Sequence, residues 1–164
     1  MEAVNMCHDN INMIYQMLHW KNPEDIQHYG IELAKKLTDL TPLILPIYER
    51  SQSIWDNCAK ALSELSDDRL EKYLPLLLEW LQDLNWPGAL TILERLMVFS
   101  GQKLKNPFIK QVEYAISLNN EEGFRWLDYL SELLNNQKLK ELLPIKTLEI
   151  IQKHYHNWGW WYNE

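Results

Sequence analysis

A chain of 164 residues has the size of one domain spanning residues 1–164, and such a chain is expected to bury roughly 70% of its unfolded surface. With 46% hydrophobic and 24% charged residues the composition is that of an ordinary globular protein rather than a disordered one. The formal net charge of −7 disfavours electrostatic capture of nucleic acid or of an anionic membrane.

Leu dominates the apolar set while Val occurs only at Val4, Val98 and Val112, and β-branched residues are what sheets favour, so the chain reads as all-α. A first helix is predicted over Asp9 to Leu18, with Ile11, Ile14, Tyr15 and Leu18 at helical spacing. Asn22-Pro23-Glu24-Asp25 supplies a cap, a first-turn proline and two carboxylates for a second helix, whose face would be Ile26, Tyr29, Leu33, Leu37 and Leu40. Thr41-Pro42 breaks it, a short turn around Pro46 follows, and Ser51 or Ser53 would cap a helix bearing Ile54, Cys58, Ala61, Leu62 and Leu65.

Ser66-Asp67-Asp68 restarts the chain into a helix to about Leu84, with Pro75 deep enough to kink it. Asn85-Trp86-Pro87 is read as the opening of another, capped by Asn85, with Leu90, Leu93 and Met97 inward and its end near Gly101. Asn106-Pro107 would open the next. Asn120 caps a helix holding Phe124, Leu127, Leu130 and Leu134, and Pro144 precedes a last one with Ile145, Leu148, Ile151 and Tyr155. These are roughly eight to ten short helices. Starts at Pro23, Asp67 and Pro107 lie 44 and 40 residues apart, close to the period of HEAT-type hairpins, so a helical-hairpin solenoid is expected ahead of an irregular bundle.

The densest segment is Glu79-Trp80-Leu81-Gln82-Asp83-Leu84-Asn85-Trp86-Pro87-Gly88-Ala89. Its logic is structural first: Asn85 and Asp83 can satisfy free amides at an inter-helix turn, and Trp80 and Trp86 can wedge two helices together, each more than half buried. The functional reading makes Trp80, Asp83, Asn85 and Trp86 part of a recognition surface at a hairpin end. On this core the chain resembles a family of small bacterial proteins of unknown function, regarded as HEAT-like and marked by W-L-Q-D-x-N-W-P-G. The likeness extends to Ile31-Glu32-Leu33-Ala34-Lys35-Lys36, Trp55-Asp56-Asn57-Cys58-Ala59-Lys60, Ser66-Asp67-Asp68 and Arg95-Leu96, and more loosely to Glu121-Glu122-Gly123-Phe124-Arg125-Trp126. It implies a fold and carries no activity to transfer.

Chemistry-bearing residues are sparse in pattern. His8, His19, His28, His154 and His156 show no HExxH spacing, and His154 and His156 would face nearly opposite ways on a helix, so neither a metal nor a cofactor is expected. Cys58 falls on an apolar face as a small core residue, and no nucleophile, base or catalytic residue is assigned. Two cysteines make no disulfide framework; with no leader pattern and no apolar run of about 20 residues, a cytoplasmic, non-membrane protein is expected. Trp158, Trp160, Trp161 and Tyr162 are expected to fold back over the last helix, the alternative being that these clustered indoles form a dimer or partner contact.

Charge points to a partner. Residues 1–82 hold 13 acidic and 7 basic residues, a balance of −6, whereas residues 83–164 hold 10 and 9, a balance of −1. Glu64, Asp67, Asp68 and Glu71 crowd one helix junction. The expectation is a non-enzymatic protein-binding module, monomeric or weakly dimeric, with a basic protein partner; one concrete form is a bacterial immunity protein against a toxin. The alternative is nucleic-acid-base processing, or another enzyme, on a HEAT-like scaffold, against which the acidic charge argues.

Overall fold

A computed structural model describes residues 2–46 and 52–158, with side chains over 10–46 and 52–154. Every described element is an α-helix or a 3-10 turn: α1 Glu2–Leu18, α2 Glu24–Ala34, α3 Gln52–Ser63, α4 Asp67–Leu70, α5 Leu74–Glu79, α6 Ala89–Met97, α7 Gly101–Ser117, α8 Glu121–Ser131, α9 Gln137–Lys140 and α10 Ile145–Trp158, with 3-10 turns at Thr41–Leu43, Glu71–Tyr73, Trp80–Gln82 and Glu132–Asn135. The expectation of an all-helical chain holds, with no strand among the described residues. None of the described helices is long and apolar enough to cross a membrane.

The first two helices pack against each other, and α2 and α1 both touch α3. Asn22 does not cap α2 as its position suggested: its side-chain amide donates to the carbonyls of Gln16 and Met17, 2.6 and 3.1 Å, and so closes the C-terminal end of α1. The second helix ends at Ala34, short of Leu40, and turns Gly30, Ile31 and Ala34 inward, leaving Ile26 and Tyr29 exposed. The reason is contact: a Cβ at Gly30 would lie 2.7 Å from Met17 Cβ, so the close crossing with α1 selects the glycine side of the helix. Tyr15 donates its hydroxyl to the Pro42 carbonyl at 2.6 Å and tethers the chain beyond α2.

The face expected of α3 is the observed one, with Ile54, Cys58, Ala61 and Leu62 buried. Ser53 lies inside the helix rather than at its cap, and Ser51 falls outside the described residues. The single kinked helix expected over 67–84 is instead four consecutive pieces: α4, a 3-10 turn, α5 and a second 3-10 turn. Pro75 sits in the first turn of α5, where its missing N–H costs least, so the chain reopens a helix there instead of bending one.

Gly88 lies against Trp55 and Ala59 toward the start of α3, while Arg95 in the last turn of α6 reaches the Leu65 carbonyl just past the end of α3. The third and sixth helices therefore run side by side in the same direction and pack on each other, while α5, between them in sequence, packs on α7. Leu90, expected inward, is 58% exposed; α6 begins at Ala89 rather than Trp86, and its packing on α3 turns Ala89, Ile92, Leu93 and Leu96 inward instead.

Gly101 opens α7 instead of ending α6, and Pro107 lies inside it. Ser100 caps this start by accepting from Lys103 N–H. Gly101 is required: a Cβ there would come within 2.4 Å of the Lys138 backbone. Pro107 therefore marks no helix start, which removes one of the three evenly spaced starts on which the repeat rhythm rested. Asn120 does cap α8, accepting from Gly123 N–H at 2.8 Å, and α7 and α8 form an antiparallel pair. In α10 Thr147, Ile151 and His154 face inward while Ile145 is 75% exposed. The aromatic tail beyond Trp158, and the side chains of Tyr155 and Trp158, lie outside what is described.

Candidate functional site

The residues singled out from the sequence separate into two groups at opposite ends of α3. At its first turn stands a tryptophan cluster. Trp80 is fully buried and Trp86 partly so, and Trp55 meets both edge-on, each ring pair 5.8 Å apart at 75° and 77°. Trp80 donates its indole N–H to the Pro87 carbonyl at 3.1 Å, and Trp55 donates to Pro46 at 3.2 Å. Gly88 has φ +79°, and a Cβ on it would sit 2.6 Å from Ala59 Cβ and 2.9 Å from the Trp55 carbonyl. Only glycine allows this backbone to turn and pass so near α3.

Asn85 does not cap α6. Asp83 Oδ1 accepts from both the backbone and side-chain N–H groups of Asn85, 2.9 and 3.0 Å, and the Trp86 N–H donates to the Asp83 carbonyl. The four residues make a turn that carries the chain from the end of the α5 rod to α6, with Gly88 at the position before the helix. The structural reading of the motif thus holds in its main part: Asp83 and the Asn85 amides bond within the turn, the Trp80 indole closes on Pro87, and both motif indoles are more than half buried.

The acidic group lies where α3 ends and α4 begins. Asp67 joins two elements, accepting from Arg95 at 2.5 Å and from the Ser100 N–H at 2.9 Å; Arg95 also donates to the Leu65 carbonyl and stacks on Phe99, 5.0 Å from its ring centre. Asp68 and Glu71 both pair with Lys103, at 2.6 and 2.5 Å, which holds the Asp68 carboxyl below the usual carboxylate range and pushes the Lys103 ammonium up. Glu64 stands apart and pairs with Lys35 at 2.6 Å. Asp67, Asp68 and Glu71 are therefore brought together through Arg95 and Lys103, and Glu64 is tied to the end of α2.

Sequence reasoning missed three buried polar joints. Asn57 donates to the Leu18 carbonyl and to Gln27 Oε1, both at 2.8 Å, locking α3 to the first hairpin. Asn136 donates to the Leu96 and Phe99 carbonyls at 3.0 and 2.9 Å and accepts from Leu139 N–H, so one side chain ends α6 and starts α9. His154 contacts Asp128 Oδ1 at 2.7 Å with its side chain 3% exposed, joining α10 to α8. An Asn flanked by a second Asn at 135–136 is a cap signal readable in sequence; the other two depend on residues 26 to 39 positions away.

Burial pushes the Cys58 thiol up to about 12, as befits a core residue rather than a nucleophile. Ser131 sits one turn from Asp128, yet its hydroxyl donates back to the Asp128 carbonyl at 2.5 Å, a local helix bond. Among the described residues no group of three or more His, Cys, Asp or Glu side chains could hold a metal ion. An open depression of about 590 Å³ lies between the Glu132–Asn135 turn and α10, lined by Leu134, Leu148 and Ile151 with Glu132 and Lys140 at its rim.

The profile of one protein family, described as a domain of unknown function (DUF5071), matches residues 55–145. That span begins at Trp55 and contains the tryptophan cluster, the Asp67–Arg95 junction and the Asn136 joint. No curated protein and no solved structure matches the chain.

Proposed function

The chain belongs to the DUF5071 family, and from that premise we propose a non-enzymatic protein-binding module on a HEAT-like helical scaffold, acting in the cytoplasm as a monomer or weak homodimer. In its most concrete form it is a bacterial immunity protein that neutralises a basic toxin domain. The observation that carries this reading is the division of labour between interior and surface. The conspicuous motif residues are spent on packing and turn bonds, whereas Asp68 is 87% exposed and the Glu64 and Glu71 side chains are about half exposed, so what a partner meets is a helical surface rich in carboxylates. The parallel side-by-side course of α3 and α6 supports the solenoid part of the reading, because stacked hairpins bring helices separated by a returning segment into parallel register.

Affinity capture of the intact chain from its own host, followed by reconstitution with the captured protein, tests the proposal. A basic partner whose association slows as salt approaches physiological strength agrees with it, since exposed charges are screened beyond roughly 8 to 10 Å. Steeply salt-dependent binding of DNA, or turnover of a nucleobase, would replace it with the enzymatic alternative. A gene for a toxin immediately upstream is the corresponding genomic expectation.

A further inference from the structure

Beside α10 the surface is concave and its walls are apolar. Leu134 from the Glu132–Asn135 turn, with Leu148 and Ile151 from α10, lines the open depression of about 590 Å³, and both leucines are only partly buried. The rim carries charges of both signs, Glu132 and Lys140, so charge selects no occupant. The course of the chain does.

The last helix runs to Trp158, and the six residues after it read Gly159-Trp160-Trp161-Tyr162-Asn163-Glu164. At about 100° per residue, position 159 projects about 20° from Leu148, inside the arc between Ile151 and Gln152, and all three of those residues line the depression. The chain thus leaves α10 on the side of the depression, at a glycine, the residue type on which helices most often end by reversing direction. Reach agrees with this. Ile151 and Leu148 lie about 12 and 17 Å back along the axis from position 159, and an extended segment covers about 10 Å by Tyr162 and about 17 Å by Glu164. In such a segment alternate side chains share a side, and the pair Trp160 and Tyr162 offers more apolar surface to the walls than Trp161 and Asn163. A second copy would pay the full entropy of association to bring the same rings, whereas this tail is already tethered within reach. We propose that residues 159–164 fold back along α10, seating Tyr162 in the depression against Leu134, Leu148 and Ile151 with Trp160 behind it, and leaving Trp161 outward. This assignment stands apart from the protein-binding reading.

Disulfide trapping in the full chain tests it. In a Cys7→Ser background, Lys140→Cys at the rim is combined with Glu164→Cys, which leaves every wall residue and every tail ring in place, and cross-linking by oxidised glutathione is followed over time. Asp25→Cys on α2 replaces Lys140→Cys as the control. The expected result is a monomeric cross-link that forms quickly, is slowed about tenfold by Tyr162→Ser and is unaffected by Trp161→Ser, while the control pair reacts far more slowly. A tail that merely wanders near the rim would react at the same rate with or without Tyr162. Deleting 159–164 should also lower the melting temperature by about 2 to 4 °C, with an unchanged circular dichroism spectrum establishing that the shortened chain folds. Trapping that ignores Tyr162→Ser, trapping slowed as much by Trp161→Ser, cross-links that join two chains, or an unchanged melting temperature after deletion each overturns the assignment. Capture of a host partner tests the protein-binding reading separately.

Discussion

Gly88 is wedged against Ala59, the Trp55 carbonyl and the Trp80 ring. Its positive φ and the 2.6 Å approach to Ala59 mean that Gly88→Ala both strains the backbone and collides with α3, so a loss of about 2 kcal/mol or more is expected from urea unfolding curves. Asn136→Ala leaves the Leu96 and Phe99 carbonyls inside the protein without their donor and should cost about 2 to 3 kcal/mol by the same measurement. Cys58 offers a test of burial by chemistry. With its thiol pushed up to about 12, a Cys7→Ser chain should resist alkylation at mildly alkaline pH and react only as it unfolds; reaction at the rate of an exposed thiol would contradict the packing of α3.

Helix junctions are held by ion pairs of unequal worth. Arg95 is mostly buried and serves Asp67 and the Leu65 carbonyl at once, so Arg95→Ala strands two acceptors and should cost about 2 kcal/mol. Lys103 pairs with exposed partners, and Lys103→Ala should produce a small change that shrinks as salt is added. The pH dependence has a definite sign. Asp39 is held low by bonds from the Thr41 N–H and hydroxyl, and Asp68 by Lys103, each below its usual 3.8. A carboxyl depressed in the folded chain contributes stability above its usual value and loses it as pH falls through the depressed one. Melting temperature should therefore fall below about pH 4, and in Asp68→Asn the fall should be shallower.

Across the molecule one apolar core runs from Ile14 in α1 to Ile151 in α10, and Trp126 donates its indole N–H to the Leu78 carbonyl at 3.1 Å, tying α8 to α5. A chain joined in this way should unfold in one transition, with tryptophan fluorescence and far-ultraviolet dichroism reporting the same midpoint. Two separated midpoints would show that the first hairpin, or the α8–α10 end, melts as its own unit.

Local chemistry was enough to read the helical class, the inward face of α3 and the cap at Asn120, because each is set by residues within a turn or two of one another; the burial of both motif tryptophans was legible from their size and apolarity, although Trp55, 25 and 31 residues away, is what covers them. What tertiary structure decided is where helices begin and which side they turn inward. Asn22 closes the helix behind it, Pro75 and Pro107 exchange the roles that position alone suggests, and α2 buries its glycine side because Met17 lies within 2.7 Å of a Cβ there. Helix boundaries are chosen by whatever satisfies the end amides and carbonyls, and apolar faces by what they can approach. In this chain those partners come from far along the sequence: Leu18 for Asn57, Asp67 for Arg95, Leu96 for Asn136, Lys138 for Gly101. The acidic residues were visible from the start. That the junction acids are paired within the chain, while α2 keeps Ile26 and Tyr29 outward, is a fact of three-dimensional neighbourhood that periodicity along one helix does not contain.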